Sequence, residues 1–294
     1  MSKRKNELLY FFWSAAIVIC TVLVLFSLIF AACVKKQPGD AGTSPSPQVT
    51  DGSAGGDTGA SEETPPAQES PEPSAETPET SPEPAEASTV LGETEDMGQE
   101  YLDRIVFLGD STTYGLKAYS MLSGGTDTTQ VWTPASGTLA LFNQSIATIV
   151  YPETGEEITI VEAVTRKQPE YLLITLGVNG VSSMDEEYFT LEYKKLVNNI
   201  LEASPDTKII LNSIYPVASN YDKQEYINNE KITAANGWIR NLAEELGVRY
   251  LDSASVITGP DGFLMDEYQN GDGIHLNSAG FSRILEYIRT HGYQ

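Results

Sequence analysis

Cysteine and histidine are scarce in this chain of 294 residues, which has two of each. Both cysteines, Cys20 and Cys33, lie within the first 36 residues, so nothing after them can form a disulfide or a cysteine-ligated metal site. With only His275 and His291 beyond that point, a zinc site has too few ligands, and no metal or other cofactor is expected. Positive charge is also short: 18 Lys and Arg stand against 41 Asp and Glu, a net charge of -23. No basic patch or aromatic–basic interleaving occurs, which argues against nucleic acid as a partner.

Three regimes of composition follow one another. Residues 1–36 begin with Lys3, Arg4 and Lys5 and continue as an uncharged run from Leu8 to Cys33. That run exceeds the roughly 7–15 apolar residues of a cleavable signal core and is long enough to span a bilayer. Its basic start predicts a cytoplasmic N-terminus and an exported remainder. "FAAC" at 30–33 resembles a bacterial lipobox, which would place a lipid on Cys33 instead of a retained transmembrane anchor. Either way the expected location is the cell membrane, with the rest of the chain extracellular.

Residues 37–100 contain no Lys or Arg and are dominated by Pro, Glu, Ser, Thr, Ala and Gly. Low hydrophobicity with charge of one sign predicts a disordered linker. As a flexible coil it spans roughly 45 Å, and more with its proline content and self-repulsion. Residues 101–294 then have the composition of one globular domain large enough to bury its own core.

Within that domain four apolar runs read as buried strands: 104–109, 171–177, 208–214 and 248–252. They are nearly continuous rather than alternating, as in a parallel sheet covered on both faces. Ser183 and Glu186 form an S-x-x-E capping box ahead of Phe189, Tyr193, Leu196 and Ile200. A second helix runs through Ile232, Ala235, Ile239, Leu242 and Leu246 and stops at Gly247. A last helix starts near Asn277 or Ser278 and buries Phe281, Ile284, Leu285 and Ile288. Residues 146–160 read as an inserted β-hairpin turning at 153–156. The alternation predicts an open α/β sandwich with its ligand at the carboxyl ends of the strands.

The first strand run ends "VFLGDSTTYG", which puts Ser111 at a strand-to-helix turn with its N–H at a helix N-terminus. "ITLGVNG" puts the Asn179 amide just past another strand end, and "VWTPASGTL" offers Gly137 for a close backbone approach. "QNGDGIHLN" puts His275 three residues after Asp272, on the loop before the last helix. A carboxylate accepting from one imidazole nitrogen leaves the other free to take a serine proton. Nucleophile, base, orienting carboxylate and oxyanion donors are then all present. Asp252 and Asp266 are rival carboxylates, with Asp252 ending the fifth strand.

Taken together and in this order, "GDS", "SGT", "GVN" and "DGIH" resemble the SGNH (GDSL-type) serine hydrolase superfamily over residues 104–294. The resemblance implies a flavodoxin-like three-layer α/β sandwich with a mainly parallel five-stranded sheet. It implies Ser111 as nucleophile, His275 as base, Asp272 as its partner, and Ser111, Gly137 and Asn179 as the oxyanion hole. Two departures stand out: Gly180 occupies a position where many members have Asp, and the usual asparagine before the glycine block is missing. Trp132 is therefore a rival to Gly137 for lining the pocket. The implied activity is ester hydrolysis through an acyl-enzyme on an acylated small molecule or glycan. An extracellular tether favours O-acetyl groups of a cell-envelope or environmental glycan. Lysophospholipase or general carboxylesterase, glycan O-acyltransferase and non-catalytic glycan-binding module are the alternatives.

Overall fold

Residues of the central strands alternate between two cores, and this alternation organises the domain. The computed structural model describes residues 88–294. The expected anchor at 1–36, with Cys20 and Cys33, and the linker up to residue 87 lie outside the described residues.

The described chain begins with α1 (Gly98–Asp103), β1 (Ile105–Gly109), α2 (Ser111–Ala118) and β2 (Val131–Trp132). The hairpin β3 (Thr148–Val150) and β4 (Glu157–Thr159) leads into α3 (Ile160–Lys167) and β5 (Tyr171–Thr175). Then come α4 (Glu186–Ala203), β6 (Lys208–Asn212), α5 (Asn229–Leu246), β7 (Arg249–Leu251) and α6 (Ser278–Thr290). Five strands form one wholly parallel sheet in the order β2-β1-β5-β6-β7. Numbered within the sheet alone, that order is 2-1-3-4-5, the flavodoxin-like arrangement.

Val106, Leu108, Leu172 and Ile174 face one core with Ala163 of α3, Leu196 of α4 and Ile239 of α5. Ile105, Phe107, Tyr171 and Leu173 face the other with Leu102 of α1, Leu116 of α2 and Ile284 of α6. Both faces of β1 and β5 are buried throughout, which explains their unbroken apolar sequences. The sheet thus lies between two helical layers.

Several sequence expectations need correction. Strand β2, which no apolar run announces, is two residues long, too short to leave a periodicity. Helix α4 is capped by Asp185, whose carboxylate accepts from the Tyr188 N–H, and not by Ser183. Ser183 is held in the preceding turn, its N–H donating to Gly180 O at 3.0 Å. Residues 88–100, assigned to the linker by composition, are part of the fold. Val90 pairs with Tyr250 as a parallel bridge, and Leu91 is buried with its N–H on Tyr250 O at 2.9 Å. This segment covers the outer edge of β7, which would otherwise expose unpaired backbone. The strand at 171–177 ends at Thr175, because Gly177 takes φ 132 where a side chain would meet Phe189 and Ile214.

Helices α2 and α6 cross closely at Gly115. A Cβ there would stand 2.2 Å from Cε2 of the buried Phe281 ring. At Gly237, exposed on α5, a Cβ meets nothing within 4 Å. The same substitution should therefore have opposite effects at the two sites. Gly115→Ala is expected to lower unfolding free energy by about 1–3 kcal/mol through overpacking. Gly237→Ala is expected to raise it by about 0.5–1 kcal/mol through helix propensity. Urea denaturation of the two variants beside the parent chain measures both.

Candidate active site

The turn after β1 is built around an acidic side chain that the sheet has already buried. Gly109 lets the backbone through: a Cβ there would lie 1.9 Å from Thr113 Oγ1 and 2.9 Å from Thr175 O. Asp110 follows with extended backbone and caps α2, its Oδ1 accepting from the Thr112 N–H at 2.9 Å and the Thr112 hydroxyl at 2.8 Å. Ser111 is the first helical residue, and its N–H has no acceptor among the described residues. An N–H left open at a helix N-terminus is a ready donor to developing negative charge.

Burial drives the Asp110 pKa up to about 6, against the pull of its Thr112 bonds, the charge of His275 and the Asn179 amide. Desolvation wins because the carboxyl is fully enclosed, and three hydrogen bonds offset only part of the lost hydration.

The second half of the site arrives 164 residues later in sequence. Asp272 Oδ1 accepts from the N–H groups of Ile274 and His275, both at 2.9 Å, folding the loop back on its own carboxylate. Gln269 Oε1 accepts from Gly271 and Gly273, and Asn270 Oδ1 from Asp272 N. Gly273 has φ 81, and a Cβ on it would sit 2.8 Å from the Tyr221 backbone. The Asn, Asp and Gly residues of this loop thus serve as turn chemistry and also aim a histidine.

His275 Nδ1 lies 2.7 Å from Asp272 Oδ2, and its Nε2 lies 2.9 Å from Ser111 Oγ. A neutral imidazole protonated on Nδ1 satisfies both contacts, donating to the carboxylate and accepting from the serine hydroxyl. Partial burial raises the Asp272 pKa, but the His275 and Ile274 N–H groups and the imidazole outweigh it and take it down to about 2. The carboxylate therefore stays ionised at every pH where the imidazole can act as a base.

The remaining candidates differ in how they are placed. Asn179 sits beyond β5 with its Nδ2 donating to Asp110 Oδ2 at 2.8 Å and to Leu139 O at 3.2 Å. Gly137 has φ 74 and packs against Ser111, with a built Cβ 3.8 Å from Ser111 Cβ. Its N–H closes a turn on Pro134 O at 3.0 Å. Gly137 is thus beside the serine and Asn179 beside Asp110, each with its donor engaged inside the protein. Trp132 does not line a pocket: it is wholly buried, its ring against Tyr151 at 6.0 Å. Gly180 donates to Gly177 O at 2.7 Å, in a turn tucked under Met184 that would crowd a side chain.

Asp252 and Asp266 make no contact with His275: Asp252 follows β7, and Asp266 accepts from Gln269 at 3.4 Å. His291 stacks on Tyr287 at 3.7 Å and has no part in the site. The described residues contain no group of three or more His, Cys, Asp or Glu able to hold a metal. Sequence reasoning passed over Asp110 as a participant, and also the cleft beside Gly137. That cleft, about 460 Å³, is walled by Tyr114, Lys117, Thr133, Ser136 and Val150 among others. Tyr114 and Lys117 follow Ser111 at helical spacing of three and six, a signal present in "STTYGLK".

A model of the GDSL-like Lipase/Acylhydrolase family matches residues 107–283. No curated protein matches the chain. Among solved structures it is similar to a GDSL-like lipase from Bacteroides thetaiotaomicron VPI-5482, at 19% identity over 63% of this chain and 85% of that one, TM-score 0.45. It is also similar to the lipopolysaccharide acetyltransferase periplasmic domain of Salmonella ser. Paratyphi A, at 20% identity over 63% and 82%, TM-score 0.44. A carbohydrate esterase family 3 structure from Talaromyces cellulolyticus has 18% identity over 63% and 93%, TM-score 0.42.

The two carboxylates make opposite contributions to stability. Asp110 titrates near 6 in the folded chain and near 3.9 unfolded, so the folded state holds the extra proton between. Its contribution is present below about pH 4 and is lost as pH rises to about 6. Asp272 has its folded pKa depressed to about 2, so its contribution is present above about pH 4 and is lost as pH falls toward 2. Denaturant titrations between pH 4 and 7 should show a falling component in the parent that is missing from Asp110→Asn.

Proposed function

The chain belongs to the GDSL-like lipase/acylhydrolase family, and on that premise we propose a serine esterase that removes O-acetyl groups from a glycan at or beyond the cell envelope. The observation that carries the catalytic part is the unbroken relay from Asp272 Oδ2 through His275 to Ser111 Oγ, at 2.7 and 2.9 Å. The Ser111 hydroxyl attacks the acyl carbonyl as its proton passes to His275 Nε2, and Asp272 stabilises the imidazolium that forms. The alcohol leaves with that proton. Water, deprotonated by the same nitrogen, then releases the acid from the acyl-enzyme.

The oxyanion is stabilised first by the Ser111 N–H, open at the start of α2. Asn179 contributes by exchanging its longer bond, to Leu139 O at 3.2 Å, while its bond to Asp110 at 2.8 Å keeps the amide in place. Gly137 contributes when its turn on Pro134 O opens. A pocket that swaps an internal acceptor for a transition-state oxygen spends part of its binding energy on the exchange.

A short acyl group is the choice that an extracellular tether at a glycan favours. Support for a glycan alcohol comes from the adjoining cleft, whose wall carries the hydroxyls of Tyr114, Thr133 and Ser136. Residues 1–36 are proposed to tether the domain to the membrane, as a transmembrane segment or through a lipid on Cys33. The linker, reaching residue 87, is then the spacer that holds it outside.

A p-nitrophenyl ester series from acetate to long chains, run on the full chain, tests this reading. Turnover is expected to peak at acetate and to drop by about 10⁴-fold or more in Ser111→Ala. Asp272→Asn should lose roughly 10²–10⁴-fold, and Asn179→Ala about 10²–10³-fold. A long-chain optimum would replace the acetyl-glycan assignment with a lipid ester. Undiminished turnover in Ser111→Ala would remove the mechanism.

A further inference from the structure

The cleft beside Gly137 carries a cation in its wall. Lys117 lies on α2, half-buried in the cleft wall, with no carboxylate within salt-bridge distance among the described residues. Several other cations pair, Arg166 with Glu156 and Glu162, Lys167 with Glu153 and Lys195 with Glu192, whereas Lys208 and Lys231 share with Lys117 the lack of a carboxylate partner among the described residues. What sets Lys117 apart is its place, as the one charged residue in the lining of a cleft. None of the residues lining the cleft is acidic.

The neighbours of Lys117 describe a ligand. Ser111, Tyr114 and Lys117 are spaced by three along one helix, so the ammonium stem starts about 9 Å from the serine along the axis. Between them Tyr114 leaves 49% of its surface exposed, a large aromatic face turned to the cleft. Thr133 and Ser136 also line the cleft, with hydroxyls each able to donate and accept. Val150, at the end of β3, is also part of the lining, which brings the inserted hairpin to the cleft. The volume of about 460 Å³ is that of a small-ligand pocket.

We propose that this cleft is the subsite for the alcohol part of the ester, and that it selects an anionic sugar, with the ring on Tyr114 and a carboxylate or phosphate on Lys117. The inference rests on Ser111 being the nucleophile and extends it to a substrate class. The general field of the chain repels anions, but that field is screened within about 8 Å at physiological salt. At the cleft itself the unpaired ammonium decides, and a charge-assisted hydrogen bond there is stronger than a neutral one.

Binding can be measured without turnover, in the full chain carrying Ser111→Ala. Isothermal titration would compare the methyl glycoside of an O-acetylated glucuronic acid, its uncharged methyl ester, and an O-acetylated glucose 6-phosphate. The charged sugars are expected to bind about tenfold or more tightly than the neutral ester. The more strongly favoured of the two identifies the anion as carboxylate or phosphate. Adding Lys117→Met should erase the discrimination, Lys117→Arg should keep much of it, and Tyr114→Ala should weaken all three sugars together. Equal affinities, no binding of either charged sugar, or a preference that survives Lys117→Met would overturn the subsite. Turnover of p-nitrophenyl acetate by the parent chain, and its loss in Ser111→Ala, reports separately on the hydrolase reading.

Discussion

A carboxyl group sealed inside the protein, Asp110, ties the serine turn after β1 to the Asn179 loop after β5. Its Oδ1 fixes the first turn of α2 through Thr112, and its Oδ2 receives the Asn179 amide from the end of β5. Strands β1 and β5 are neighbours in the sheet, so one buried side chain sets the separation of the serine and the asparagine. Replacing it with an apolar residue would leave an uncapped helix and an amide without its shorter hydrogen bond in the same small volume. The near-neutral pKa of Asp110 is the consequence of this position. The fold tolerates a carboxyl that it has stripped of water because three donors converge on it.

The rest of the constellation depends on the direction of a parallel sheet. All five strands deliver their carboxyl ends to one side, where the chain turns into helices, and the switch point between β1 and β5 opens a crevice there. The His275 loop reaches the same crevice from before α6, and α6 is itself locked to α2 by the contact of Gly115 with Phe281. The serine and its base therefore sit at the starts of two helices packed directly against each other. The Asp272 and His275 side chains are only partly buried, and the loop's own hydrogen bonds fix the carboxylate that orients the imidazole.

Much of this was legible in the sequence because the relevant features are local or periodic. The runs at 104–109 and 171–177 are apolar on both faces, and only a sheet covered on both sides asks for that. Gly247 and Asn277 mark helix ends by their own conformational chemistry. What escaped was either too short or decided at a distance. Strand β2 has two residues, and Val90 and Leu91 are two apolar residues in a polar stretch whose partner, Tyr250, is remote. Asp185 displaced Ser183 as the cap because the chain between them was already committed to a turn on Gly177 and Gly180. The engagement of the Gly137 and Asn179 donors could not be read from motifs, since Pro134 O and Leu139 O are unremarkable in the sequence.

The central claim is that Ser111 is made nucleophilic by His275, and covalent labelling tests it most directly. The full chain would be treated with a p-nitrophenyl alkylphosphonate and followed by intact mass and peptide mapping. The account predicts one adduct, on Ser111, forming quickly in the parent chain and far more slowly in His275→Ala. An adduct on another residue, or labelling of Ser111 at the same rate without His275, would contradict it.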